Sequence, residues 1–153
     1  MKRWPIYLLI LALVPFAPLQ RVNVGRMLPV EVVALKRTSA GIQVLTDAEA
    51  WGQGMDLAAA VADLKEKTPA VVYLDTAKYL LLEKDLQIPP EQLSQYLKGG
   101  VYLCRWDGET DLKAMAKYLE VHGKLPQLRT WKGSTELPYF QGEKNIKKSE
   151  KSA

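Results

Sequence analysis

Two short apolar runs, residues 70–75 (AVVYLD) and 79–83 (YLLLE), narrow the folds open to this chain more than anything else in it. A strand-length run without polar alternation suits a strand covered on both faces rather than one with a wet side. Covering both faces takes helices, and helical patterns flank the runs on either side. The expectation is that the two runs lie side by side at the centre of one sheet, shielded by amphipathic helices.

The flanking patterns are local and readable. Residues 28–36 (LPVEVVALK) are rich in β-branched side chains, residues 38–41 make a turn, and residues 42–46 (IQVLT) return as the second strand of a hairpin. Gly52, Gln53 and Gly54 read as a flexible break. A helix follows from Asp56 to Lys67, with Leu57, Ala60, Val61 and Leu64 on one face and Asp56 as its cap. Thr68 and Pro69 stop it. Ile88, Pro89 and Pro90 open a second helix, whose buried face is Leu93 and Leu97 and whose end is Gly99 and Gly100. Residues 101–106 (VYLCRW) form the last clear strand, and residues 109–122 a third helix with Leu112, Met115, Ala116 and Leu119 inward.

The order β-β-α-β-β-α-β-α implies an α/β (α+β) fold, a single mixed β-sheet with packed helices, preceded by an N-terminal hydrophobic helix. Residues 27–124 make the domain. Residues 125–153 read as an irregular arm carrying Trp131, Tyr139 and Phe140, and then a polar, lysine-rich tail expected to be disordered.

The N-terminal element is residues 1–24. Lys2 and Arg3 precede an apolar run over residues 4–19, which ends near Gln20 and Arg21. A basic start and an apolar stretch mark an export signal or a signal anchor. As a helix the run reaches about 24 Å, short of a hydrocarbon core of about 30 Å. Extension toward Val22 and Val24, with Arg21 snorkelling, closes most of that gap. A retained anchor, a cleaved signal and a buried helix all remain open, the anchor being preferred. Lys2, Arg3, Trp4 and Arg21 are its expected interfacial flanks, with the domain outside the cytoplasm in a single-pass arrangement at the cell membrane.

Charge is divided unevenly. Residues 27–125 hold 11 basic and 14 acidic side chains, whereas residues 1–26 hold four basic and none acidic. The net charge of +4 therefore comes from the two ends. A duplex needs a basic face on the folded part, so no nucleic-acid partner is expected; basic flanks suit an anionic membrane surface.

No catalytic constellation emerges from the residue types. One cysteine, Cys104, and one histidine, His122, make neither a disulfide nor a four-ligand zinc site. Cys104 reads as a buried thiol and His122 as a helix-end residue. Asp107, Glu109 and Asp111 have the opening spacing of a calcium loop, but Leu112 and Tyr118 stand where glycine and glutamate belong. The Gly52–Gly54 turn lacks the lysine and third glycine of a phosphate loop. No cofactor or metal is expected, and no enzyme. The alternative is a small exported ligand-binding or hydrolytic domain using Asp75, Glu83 and Asp85, which requires those acids to converge in a pocket. Trp51 and Trp106, both beside turns, are the candidate partner contacts.

The order of elements is similar to that of the N-terminal domain of the C-type subunit of spore germinant receptors, the Ger(x)C family. Its frame Gly-x-Thr-Leu-x-x-Ala-x-x-x-Leu is matched at Gly54, Leu57, Ala60 and Leu64, and residues 70–86 follow its strand–link–strand rhythm. The resemblance spans residues 29–123 and implies a stand-alone relative without the lipid-modified cysteine. With it goes an expected function: a non-enzymatic, membrane-anchored extracytoplasmic domain that binds protein partners in a germination or envelope assembly.

Overall fold

The β-branched hairpin becomes the middle of a mixed sheet. The computed structural model describes residues 26–122, 124–133 and 136–140. In it β2 (Val32–Thr38) pairs antiparallel with β3 (Gly41–Thr46), with Thr38 opposite Gly41 across a two-residue turn. Gly41 has φ +122°, a region where a side chain would be strained. β3 continues into β4 (Trp51–Gly54), also antiparallel. On the other side, β6 (Tyr79–Glu83) lies parallel to β2, and β7 (Tyr102–Trp106) parallel to β6. The two-residue β8 (Tyr139–Phe140) closes a six-stranded sheet in the order β4-β3-β2-β6-β7-β8.

Strand alternation sorts the side chains into two cores. Val33, Leu35, Leu80, Leu82 and Leu103 face one side, where α1 (Leu57–Lys67) brings Leu57, Ala60, Val61 and Leu64. Val32, Ala34, Leu81, Cys104 and Trp106 face the other, where α3 (Leu112–His122) brings Leu112, Met115, Ala116 and Leu119. β6 is covered on both faces, as its unbroken apolar run requires. Asp56 caps α1 by accepting Ala59 N–H at 2.8 Å, and Asp111 accepts Ala114 N–H at 3.0 Å at the start of α3.

The other apolar run goes elsewhere. Residues 70–75 supply β5 (Val71–Tyr73), which pairs parallel with β1 (Met27–Pro29) in a separate two-stranded sheet, and then a 3-10 turn over Leu74–Thr76. This corrects the expected central pair: β6 has β2 on one edge and β7 on the other, so neither edge is left for β5. The turn is clasped by Thr76 Oγ1, which accepts Val30 N–H at 3.1 Å and lies 3.0 Å from Val30 O and 2.7 Å from Tyr73 O. The single strand expected over residues 28–36 is likewise two. Pro29 cannot donate to a ladder, and the chain changes sheets there while Asp47 Oδ1 accepts the N–H groups of Glu31 and Val32 at 3.1 and 3.2 Å.

Two further expectations are revised. The Gly52–Gly54 segment is strand β4, not a hinge; a Cβ at Gly52 would fall inside contact distance of Ala60 O and Leu64 N, so glycine is what lets α1 cross the strand closely. The second helix is one turn, α2 (Pro90–Leu93), continued by turns to Leu97. The described part of the arm lies along β7: Leu103 donates its N–H to Pro126 O at 2.9 Å and Arg105 to Pro138 O at 2.7 Å, with Leu128, Trp131 and Leu137 buried. The N-terminal hydrophobic helix falls outside the described residues. Among them, no helix is long and apolar enough to cross a membrane.

Candidate interaction site along an open strand edge

A sheet edge carries unpaired main-chain groups that must be hidden, blunted or used. On β4 one of them is covered. Gln53 donates its N–H to Asp63 Oδ2 of α1 at 2.8 Å, and Lys67 Nζ holds the same carboxylate at 2.6 Å. Those two hydrogen bonds, Lys67 first, keep the Asp63 carboxyl below its ordinary value. The outer edge of β7 is covered by the arm. On β1, the outward position of Pro29 has no N–H to offer.

β5 differs. Pro29 cannot donate, so the β1–β5 ladder runs through Leu28, which bonds the Val71 carbonyl and the Tyr73 N–H. The N–H and C=O of Val72 then point the opposite way, where no described residue pairs with them. That side opens on a groove of about 590 Å³ running the length of the strand, with Lys65 and Thr68 at the end of α1, Asp75 beyond the strand, and Gln95 and Tyr96 opposite. Val72 lines the groove with only a narrow strip of its surface, the whole residue being 6% exposed, whereas Val71 is 53% exposed. Lys98 Nζ stands 3.8 Å from Asp75. Backbone groups flanked by an apolar surface and by charges of both signs are the chemistry with which an extended peptide can pair.

The tryptophans part company. Trp51 is 45% exposed at the start of β4, with Lys67 Nζ 4.2 Å above its ring, and Met55 is 89% exposed just past the other end of the strand. A smaller hollow of about 210 Å³ lies between Trp51, Leu28 and Pro69, and shares Thr68 and Pro69 with the groove. Trp106, expected at a turn and partly exposed, is 2% exposed, because strand β7 extends through it and alternation sets it beside Cys104 beneath α3. Its ring is not a surface contact, and its Nε1 is buried without a hydrogen-bond partner among the described residues. Lys2, Arg3, Trp4 and Arg21 lie outside the described residues.

The acids do not converge. Asp75 precedes β6 and Glu83 ends it, so a five-residue strand separates them. Glu83 Oε2 accepts Arg37 N–H at 2.6 Å, and Asp85 is exposed in the following turn. Among the described residues, no three His, Cys, Asp or Glu groups are placed to hold a metal ion. Asp107 Oδ1 accepts the N–H groups of Glu109 and Thr110 at 3.1 and 3.2 Å, the bonding of a turn rather than a calcium loop. The Cys104 thiol is pushed up to about 12 by burial, which leaves it protonated at neutral pH. The His122 side chain is outside the described set.

One residue escaped the sequence reading. Arg105 is 5% exposed on the same face as Leu103. Its position two after a core leucine on a strand was the available signal.

No family model, curated protein or solved structure matches the chain.

Proposed function

We propose that the domain is a non-enzymatic interaction module that receives an extended segment of a partner protein along β5. The observation carrying this reading is the outward N–H and C=O of Val72 beside a groove of about 590 Å³, on a strand that among the described residues pairs on one side only. Main-chain pairing supplies affinity in such complexes, and side-chain pockets on alternate residues supply selectivity. The hollow beside Trp51, joined to the groove through Thr68 and Pro69, extends the contact.

In this proposal residues 1–24 hold the domain at the outer face of the cytoplasmic membrane, with Lys2, Arg3, Trp4 and Arg21 in the interface. The Ger(x)C-like frame at Gly54, Leu57, Ala60 and Leu64 supports a place in a germination or envelope assembly. Photo-crosslinkers placed singly at Val71 and at Met55 of the full chain in membranes test the reading. Crosslinks from Val71 to every second residue of one partner segment support it. Crosslinks from Met55 with none from Val71 overturn it. Removal of residues 1–24 is expected to release the chain from the membrane fraction.

A further inference from the structure

A buried guanidinium needs partners for five N–H groups, and Arg105 has them for one nitrogen only. Its Nη1 donates to Glu83 O at 3.1 Å and to Leu86 O, stapling the turn that follows β6. Nε and Nη2 have no hydrogen-bond partner among the described residues, and no described carboxylate forms an ion pair with the group. Asp85 acts on it only through its field, while burial lowers its proton affinity. The charge nevertheless persists, since arginine does not deprotonate in proteins. A charge held at 5% exposure without a counter-ion is costly, and the cost falls when an anion is supplied.

The structure has a place for that anion. Arg105 lines a cavity of about 320 Å³ with Gln87, Ile88, Pro89, Trp131 and Gly133, beyond the carboxyl ends of parallel strands β6 and β7. Ligands of open α/β sheets bind in that position. We propose that this cavity binds a small monocarboxylate with an apolar body. The Nε–H and an Nη2–H form the planar fork that a carboxylate takes with two parallel hydrogen bonds. The lining contributes one cation and no lysine, and Asp85 stands nearby, so a singly charged group is favoured over a phosphate dianion. Ile88, 4% exposed, and Trp131, 8% exposed, provide an apolar and aromatic wall for the body. The site lies apart from the β5 groove and does not depend on its role.

The test is nitrogen-15 NMR of the Arg105 Nε–Hε resonance in the full chain in detergent micelles, titrated with benzoate, its uncharged isostere benzamide, and inorganic phosphate. Benzoate is expected to shift the resonance saturably in the millimolar range, and benzamide and phosphate to leave it in place. Two exposed positions tune the affinity without touching the core: Gln87→Glu should weaken benzoate binding about fivefold and Asp85→Asn strengthen it about fivefold, as one partly screened unit charge does. A resonance unmoved by benzoate, an equal response to benzamide or phosphate, or an affinity unchanged in both variants would overturn the proposal.

Discussion

Asp63 and Gln53 are joined by a 2.8 Å hydrogen bond in which a helix carboxylate closes the edge of a strand. The bond fixes α1 over β4, leaves no outward N–H at Gln53, and places Lys67 between Asp63 and the Trp51 ring.

Loss of that carboxylate should unprotect the strand. In Asp63→Ala the Gln53 amide is expected to exchange with solvent roughly ten times faster, with little change in the β6 amides. The bond should also give a pH signature. The folded-state value of Asp63 lies below its unfolded value of 3.8, so its contribution is complete above that pH and is lost as pH falls through the folded value. Thermal unfolding of wild type and Asp63→Asn should therefore differ at pH 6 and converge in strong acid.

Gly52 tests how closely α1 crosses the sheet. A methyl group there meets Ala60 O and Leu64 N, both main-chain atoms of the helix that cannot swing aside. Gly52→Ala should cost about 1–3 kcal/mol in denaturant unfolding, the usual penalty of overpacking.

Trp106 should show an asymmetric response. Its buried Nε1 has no partner among the described residues, so Trp106→Phe removes a polar group that gains no bond there. Stability is expected to change by no more than about 1 kcal/mol, because the lost ring volume opposes the gain. Trp106→Ala, which leaves a cavity beneath α3, should cost about 3–5 kcal/mol. Equal losses in both variants would count against an unsatisfied indole.

Cys104 should react only when the protein opens. Its thiol, pushed up to about 12 by burial, gives almost no thiolate at pH 8, and the side chain is 0% exposed. Alkylation by iodoacetamide should track unfolding across a denaturant series; rapid labelling of the native chain would be contrary to this placement.

The parts of the fold legible in the sequence are those whose cause is local. The hairpin, α1 with its Asp56 cap, β6 and the inward face of α3 each follow from periodicity over a few residues. The rest depends on what arrives from elsewhere. Residues 70–75 and 79–83 look alike as strings, and only the filling of both β6 edges by β2 and β7 sends the first to β1. Gly52 and Gly54 resemble a loop because the helix that demands them is not written beside them. Trp106 and Arg105 could have been sorted by alternation from Leu103 and Cys104, since residues 101–106 already read as one strand. The open edge itself was invisible, since it depends on β5 pairing with β1 alone, a strand more than forty residues away in the chain.

The most direct measurement is amide hydrogen exchange, residue by residue, over β5 and β6 in the full chain without a partner. Tyr73, bonded to Leu28, and Leu81, in a strand paired on both sides, should be protected, while Val72 between two bonded neighbours exchanges quickly. A Val72 amide as slow as that of Leu81 would mean the edge is already occupied, and the peptide-receiving groove would lose its basis.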